Sequence, residues 1–296
     1  MSEQPQRQSV RKTYKLFIGG AFPRSESAYS YAVTDSQGAF VANAALASRK
    51  DARDAVVAAR KAFPGWSGRT AYNRAQVLYR VAEVMEDRRP QFVQSVRRAE
   101  ALDEAAAEAV VDAAVDRWVW YAGWADKLAQ VIGNANPVAG PFFNLSTPEP
   151  TGVVAVLAPE QSSLLGLVSV LAPVIVSGNT AVLVSSYSRP LAAVDLAEVL
   201  ATSDVPGGVV NILTGQASTV APWLASHMDV NAIDLTGIAG RDDLGDLARE
   251  LEVAAADNLK RVRRAPATEP DWAQDPGIEP MTAFLETKTV WHPMGV

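Results

Sequence analysis

The sequence predicts an α/β fold: an open parallel sheet with helices on both faces. Three observations carry that expectation. The first is the stretch 152–190, where a β-branched run (Val153, Val154, Val156) ends at Ala158-Pro159 and an apolar helix with little polar face follows over about 164–176. Ser177-Gly178-Asn179 then turns the chain into a second apolar run at 180–184. Buried strand, buried helix, buried strand is the pattern of a parallel unit covered on both sides. The second observation is that the alternation continues, with helix near 191–200, strand 209–213, helix 219–226, strand 231–235 and helix 242–256. The third is size: 296 residues, 48% of them hydrophobic, suffice to bury a large core. Together these define a Rossmann-like sheet of at least four strands. Chemistry in such sheets gathers at the C-terminal ends of strands, here 160–163 and 185–189.

Composition narrows the function classes. A net charge of −6 leaves no electrostatic footprint for nucleic acid. With no cysteine there is no disulfide, no thiolate nucleophile and no thiolate metal site. His227 and His292 are the only histidines, which excludes a centre of three or more. The basic start (Arg7, Arg11, Lys12) lacks the apolar segment of a signal peptide, and no apolar run reaches membrane-spanning length. The expected setting is therefore cytoplasmic, without a membrane partner, and residues 1–14 read as a disordered tail.

The remaining elements follow in order. Residues 15–22 (KLFIGGAF) form a short strand with a Gly-Gly turn. A second extended pair, 30–33 and 40–42, is joined by Asp35-Ser36-Gln37-Gly38. Ser48 caps a helix whose apolar positions Ala52, Val56, Ala59 and Phe63 recur at helical spacing, and Pro64-Gly65 is expected to stop it. Asn73 opens another helix, Pro90 a third, and a long fourth runs from Asp103 to about Gln130 with Trp118, Trp120, Tyr121 and Trp124 on its later turns. That aromatic cluster reads as core or interface packing. Residues 134–151, Pro-rich around PFFNLST, read as a hairpin arm, and 265–282 (from APATEPDWAQDPGIEP) as a linker. A terminal strand lies in 283–296, and residues 15–133 with 152–264 make up the main domain.

The order of these pieces resembles the aldehyde dehydrogenase superfamily. LFIGGAF is similar to its opening strand, DAVVAARKAFPGW with Arg74 and Leu78 to its first two helices, and the run from Glu149 to Val154 to its entry into the nucleotide-binding sheet. SGNTAVL, VPGGVVNILTG, the run from Asp257 to Val262, and FLETKTVW resemble later landmarks in the same order. The resemblance implies a cysteine nucleophile, a glutamate base, an oxyanion asparagine and NAD(P) as hydride acceptor. The cysteine is absent. Gln161 stands where the asparagine is expected, after Pro159-Glu160, and Arg263-Arg264-Ala265-Pro266 stands where the base is expected. The short Pro-rich linker replaces the family's catalytic domain. The lysine and glutamate that reach the adenosine ribose are replaced in the run through Val184, Ser185, Ser186 and Tyr187. At the pyrophosphate turn Ile238 removes a hydroxyl, and Asp242 and Asp243 put carboxylates where a phosphate would approach, with Arg241 offsetting part of that charge.

Gln161, Val184, Tyr187 and Ile238 are thus degenerate cofactor positions, and the expectation is no catalytic residue, no metal and no retained cofactor, with weak NAD(P) binding as the alternative. The leading expectation is a non-catalytic subunit, a pseudoenzyme, that assembles with a full-length aldehyde dehydrogenase paralogue through Phe142, Phe143, Leu285, Val290 and Trp291. Two alternatives stay open. One is an enzyme with residual dehydrogenase activity, or an esterase using Ser162 or Ser163 with His227; the other is a nucleotide-binding module.

Overall fold

The computed structural model describes residues 11–295. The strands are β1 (Thr13–Tyr14), β2 (Ser30–Thr34), β3 (Phe40–Ala45), β4 (Asn134–Ala135), β5 (Phe142–Pro150), β6 (Val153–Leu157), β7 (Thr180–Val184), β8 (Val210–Leu213), β9 (Ala232–Asp234), β10 (Arg261–Arg263) and β11 (Leu285–Pro293). The helices are α1 (Arg49–Ser67), α2 (Ala71–Asp87), α3 (Arg89–Glu100), α4 (Glu104–Trp124), α5 (Leu128–Ile132), α6 (Leu165–Val176), α7 (Leu191–Ala201), α8 (Ala217–Ser226), α9 (Gly245–Ala256) and α10 (Glu279–Thr282).

A five-stranded parallel sheet in the order β10-β9-β6-β7-β8 forms the centre. The first strand to enter, β6, lies in the middle; later strands add on one side and then the other, so the topology reverses between β6 and β9. Side chains alternate across the sheet as the pleat requires. Val154, Val156, Ala181 and Leu183 face α2, α3, α4, α6 and α7. Val153, Ala155, Val182 and Ile233 face α1, α8 and α9. All twelve residues of α6 are buried, which explains why no polar face is visible in its sequence.

The structure corrects several boundaries, each for a tertiary reason. Thr13 and Tyr14, assigned to the tail, pair in parallel with Asn43 and Ala44; residues 1–10 lie outside the described part. The 15–22 segment is not a strand of its own. Phe17 exchanges hydrogen bonds of 2.9 and 2.7 Å with Ile212 and covers the β8 edge. Helix α1 runs through Pro64-Gly65 to Ser67, because Trp66 is buried and its indole N–H donates to the Ile175 carbonyl at 2.9 Å. A proline in the last turn breaks few intrahelical bonds, so tertiary burial prevails there. The fourth helix ends at Trp124, and α5 is separate.

The 265–282 segment, read from the sequence as a linker, is an ordered strap held against the helical layer. The chain leaves β10 at the C-terminal edge of the sheet, where an added Cβ on Gly240 would meet Glu269 N at 3.1 Å. Arg117 of α4, only 8% exposed, donates to the carbonyls of Trp272 (2.7 Å) and Gln274 (2.9 Å) and to Ser169 Oγ of α6 (3.1 Å). Met281 and Phe284 are buried in the same core as α4 and α6. The Phe284 carbonyl then accepts from Thr151 N, Thr151 Oγ1 and Asn179 Nδ2 at the N-terminal edge. The strap thus crosses the helical layer from one edge of the sheet to the other and delivers β11 to β5. That antiparallel pairing runs in continuous register from Leu285↔Pro150 to Pro293↔Phe142.

Candidate functional site

The loops after β6, β7 and β9 meet at the C-terminal edge of the sheet, beside the topological switch point. Their contacts are internal. The Glu160 carboxylate accepts from the backbone N–H of Tyr187 (3.0 Å), the N–H of Ser188 (2.8 Å) and Ser188 Oγ (2.6 Å). Two successive amides and a hydroxyl around one carboxylate make a nest for an anion, and the protein's own side chain fills it. The Arg189 guanidinium returns to the Gln161 carbonyl, tying the same two loops together again. Tyr187 stacks on Tyr31 with centroids 4.5 Å apart and planes 16° from parallel. Burial raises the Tyr31 phenol's pKa, with Tyr187 and Glu160 adding to the shift, so that phenol stays neutral.

Sequence-predicted site residues Gln161, Tyr187 and Ile238 come to this edge, but not as a cofactor cradle. The Gln161 side chain is exposed, Val184 is buried as the last residue of β7, and Ile238 is 6% exposed within a 3-10 turn at Thr236–Ile238. A second short 3-10 turn follows, and α9 begins only at Gly245, with no side-chain cap. Arg241 makes a two-pronged pair with Asp243 (Nε to Oδ1 2.8 Å, Nη2 to Oδ2 2.7 Å). That hydrogen bonding lowers the Asp243 pKa and raises that of Arg241. Arg241 is therefore committed to its own loop. A phosphate approaching this turn would meet the Asp243 carboxylate, with the Arg241 charge already paired to it.

The serine–histidine arrangement fails on geometry. Ser163 donates its hydroxyl and its N–H to Glu100 Oε1, both at 2.6 Å, and Ser162 Oγ accepts from Gly166 N at 2.8 Å. His227 ends α8 ahead of β9, at the opposite edge of the sheet, where its Nδ1 accepts from Asp229 N at 3.1 Å. Burial lowers its pKa. Among the described residues no group of three or more His, Cys, Asp or Glu is placed to hold a metal, and no helix is long and apolar enough to cross a membrane.

The arm is the second candidate. In the sheet β11-β5-β4, β11 is an outer strand whose residues from Glu286 onward are all exposed. Phe142 and Phe143 are exposed, as are Val290 and Trp291 on the paired strand, and the Phe142 and Trp291 rings meet edge-on at 5.8 Å. Leu285 lies at the base of the arm, half-buried opposite Pro150. Sequence reasoning missed two residues. Arg117 sits in the buried stripe Val111, Ala114, Trp118, Tyr121, where a charge at a core position signals a buried partner. In the sequence Glu160 is only the neighbour of Gln161; its role as an internal ligand depends on a loop distant in sequence.

The strand order and the loops meeting at its switch point define a chain built on a Rossmann-type dinucleotide-binding scaffold. Residues 23–263 match the aldehyde dehydrogenase family. The human cytosolic 10-formyltetrahydrofolate dehydrogenase is 33% identical over 243 residues, covering 78% of this chain and 26% of that protein. The cytosolic aldehyde dehydrogenase 1 of Elephantulus edwardii is 31% identical over 258 residues, covering 84% of this chain and 49% of that protein. Among solved structures, PnpE in complex with nicotinamide adenine dinucleotide superimposes with a TM-score of 0.79 at 28% identity, over 84% of this chain and 50% of that one. The chain belongs to the aldehyde dehydrogenase family. It spans half or less of the length of these relatives.

Proposed function

We propose that this chain is a non-catalytic aldehyde dehydrogenase-like subunit, a pseudoenzyme that assembles with a full-length aldehyde dehydrogenase paralogue and supports it. The observation that carries the reading is the arm: a nine-residue outer strand with an open edge, bearing exposed Val290 and Trp291 beside Phe142 and Phe143. An exposed apolar edge strand is a liability unless another chain covers it. The strap supports the same reading, because it covers the α4–α6 face with the chain's own residues and still places β11 on β5. Co-expression with a full-length paralogue from the same genome, followed by size exclusion with mass measurement, tests the proposal. A stable mixed oligomer is expected. Phe143→Lys with Trp291→Lys should weaken it by about 30-fold or more, the scale of losing a central aromatic anchor. A soluble monomer indifferent to the paralogue overturns the reading.

A second reading, a nucleotide-binding module or residual NAD(P)-dependent oxidoreductase, is favoured by PnpE having been solved in complex with the dinucleotide. Calorimetry with NAD+, NADP+ and adenine nucleotides separates the two; turnover of an aldehyde by the purified chain alone would overturn the non-catalytic one. The Glu160 nest makes its own prediction. Glu160→Ala removes charge-assisted bonds of about 1.5–3 kcal/mol each, so the Tyr187 and Ser188 amides should exchange with solvent roughly tenfold faster or more. Unchanged exchange there would show that the carboxylate does not hold the loop.

A further inference from the structure

A cavity of about 90 Å³ lies between the N-terminal sheet and helices α3 and α7, away from the arm. Its wall carries a buried carboxyl group, its pKa pushed up by that burial, that nothing described so far uses. Asp195 of α7 is 1% exposed and accepts from Ser95 Oγ at 2.5 Å and Gln91 Nε2 at 2.7 Å. Both donors are neutral, and among the described residues no lysine or arginine forms an ion pair with it. A carboxylate has room for about four hydrogen bonds, so acceptor capacity remains on the cavity wall.

The cavity also has polarity along its length. Arg88 pairs with Glu198 at 3.2 Å and Gln91 with Asp195, so α3 and α7 run antiparallel. Advancing along α3 to Arg98 therefore corresponds to moving back along α7 to Leu191 and Arg189, and both arginines line the cavity. At 1.5 Å per residue the cationic end lies roughly one helical turn from Asp195. Arg98 forms no ion pair among the described residues, and Arg189 commits one nitrogen to the Gln161 carbonyl.

We propose that this cavity is a binding site for a small dipolar carboxylate, a hydroxy acid or amino acid of three to five carbons. Its carboxylate sits at Arg98 and Arg189, and its hydroxyl or ammonium donates to Asp195. Asp35 also lines the cavity, but the Gln37 and Ala39 amides already donate to its carboxylate. A simple anion leaves Asp195 unused, and a simple cation faces two guanidinium groups, so one ligand carrying both groups at short spacing matches the wall best. Ser188 and Arg189 also line the cavity while Glu160 and the Gln161 carbonyl hold them. Occupancy is thereby felt at the C-terminal edge of the sheet.

Calorimetry and thermal shift on the full chain with 3-hydroxybutyrate, lactate, β-alanine and 4-aminobutyrate, against butyrate as the donor-less control, test the proposal. At least one of the four should bind saturably with a Kd of about 1 mM or tighter and bind better than butyrate. Arg98→Ala, a change at an exposed residue that leaves folding intact, should weaken binding about tenfold or more. Asp195→Asn should remove the preference over butyrate. Absence of saturable binding by all four at roughly 10 mM overturns the site, as does equal binding of butyrate or indifference to Arg98→Ala.

Discussion

Arg117→Ala is expected to release the strap, costing about 3 kcal/mol and stripping amide protection from residues 266–284. The guanidinium is buried and makes three hydrogen bonds, two to strap carbonyls and one to Ser169 Oγ. Bonds to a charged group contribute about 1.5–3 kcal/mol each, and water entering the vacated space restores part of the sum. The loss should show as a lower urea midpoint and as faster hydrogen exchange confined first to the strap. Arg117→Lys should fall between, because one ammonium cannot present the planar fork that reaches all three acceptors. Arg97→Ala is the control: that side chain is half-exposed with a 3.6 Å partner in Glu104, and its removal should stay within about 0.5 kcal/mol. Full strap protection in the Arg117 variant would mean that Met281 and Phe284 hold the segment alone. The proposed assembly should weaken in parallel, because the Phe284 carbonyl anchors the chain immediately before β11.

The strap also explains where sequence reading succeeds and where it stops. The central sheet was legible because β6 and β7 are buried along their whole length, so their β-branched runs have no competing interpretation. In the strap, prolines and acidic residues outnumber the anchors, and Trp272, Ile278, Met281 and Phe284 have no helical or strand period to reveal them. Their burial is set by α4 and α6, far away in the chain. Pro64-Gly65 misled for a related reason: the local stop signal is real, but Trp66 reaching Ile175 prevails over it. At the candidate site the sequence shows which residue types stand at each motif position, since a motif position can be compared residue by residue. It does not show the contacts they make. Glu160 binding the amides of Tyr187 and Ser188 joins two loops through backbone atoms, which carry no side-chain signature.

Gly237→Ala should be the most damaging small substitution in the sheet, costing about 3 kcal/mol or more and leaving little soluble protein. The reason is distance rather than backbone conformation. A Cβ at this position would lie 2.0 Å from the Leu157 carbonyl oxygen and 2.6 Å from the Ala158 carbonyl carbon. Both are backbone atoms at the end of central strand β6, so no side chain can swing aside to make room. Either the loop after β9 lifts away or β6 shifts against β7 and β9, and each exposes buried Ile238 and Leu235. Overpacking that side chains can absorb costs about 1–3 kcal/mol; displacing central backbone belongs at or beyond the upper end. Gly65→Ala is the matched contrast. Gly65 lies in the last turn of α1 with nothing within 4 Å of an added Cβ, so alanine should stabilise by about 0.5–1 kcal/mol through helix propensity. Thermal or urea unfolding of the two variants should therefore move in opposite directions. If Gly237→Ala unfolds like the parent, the loops after β6 and β9 are not in the close contact that these distances require.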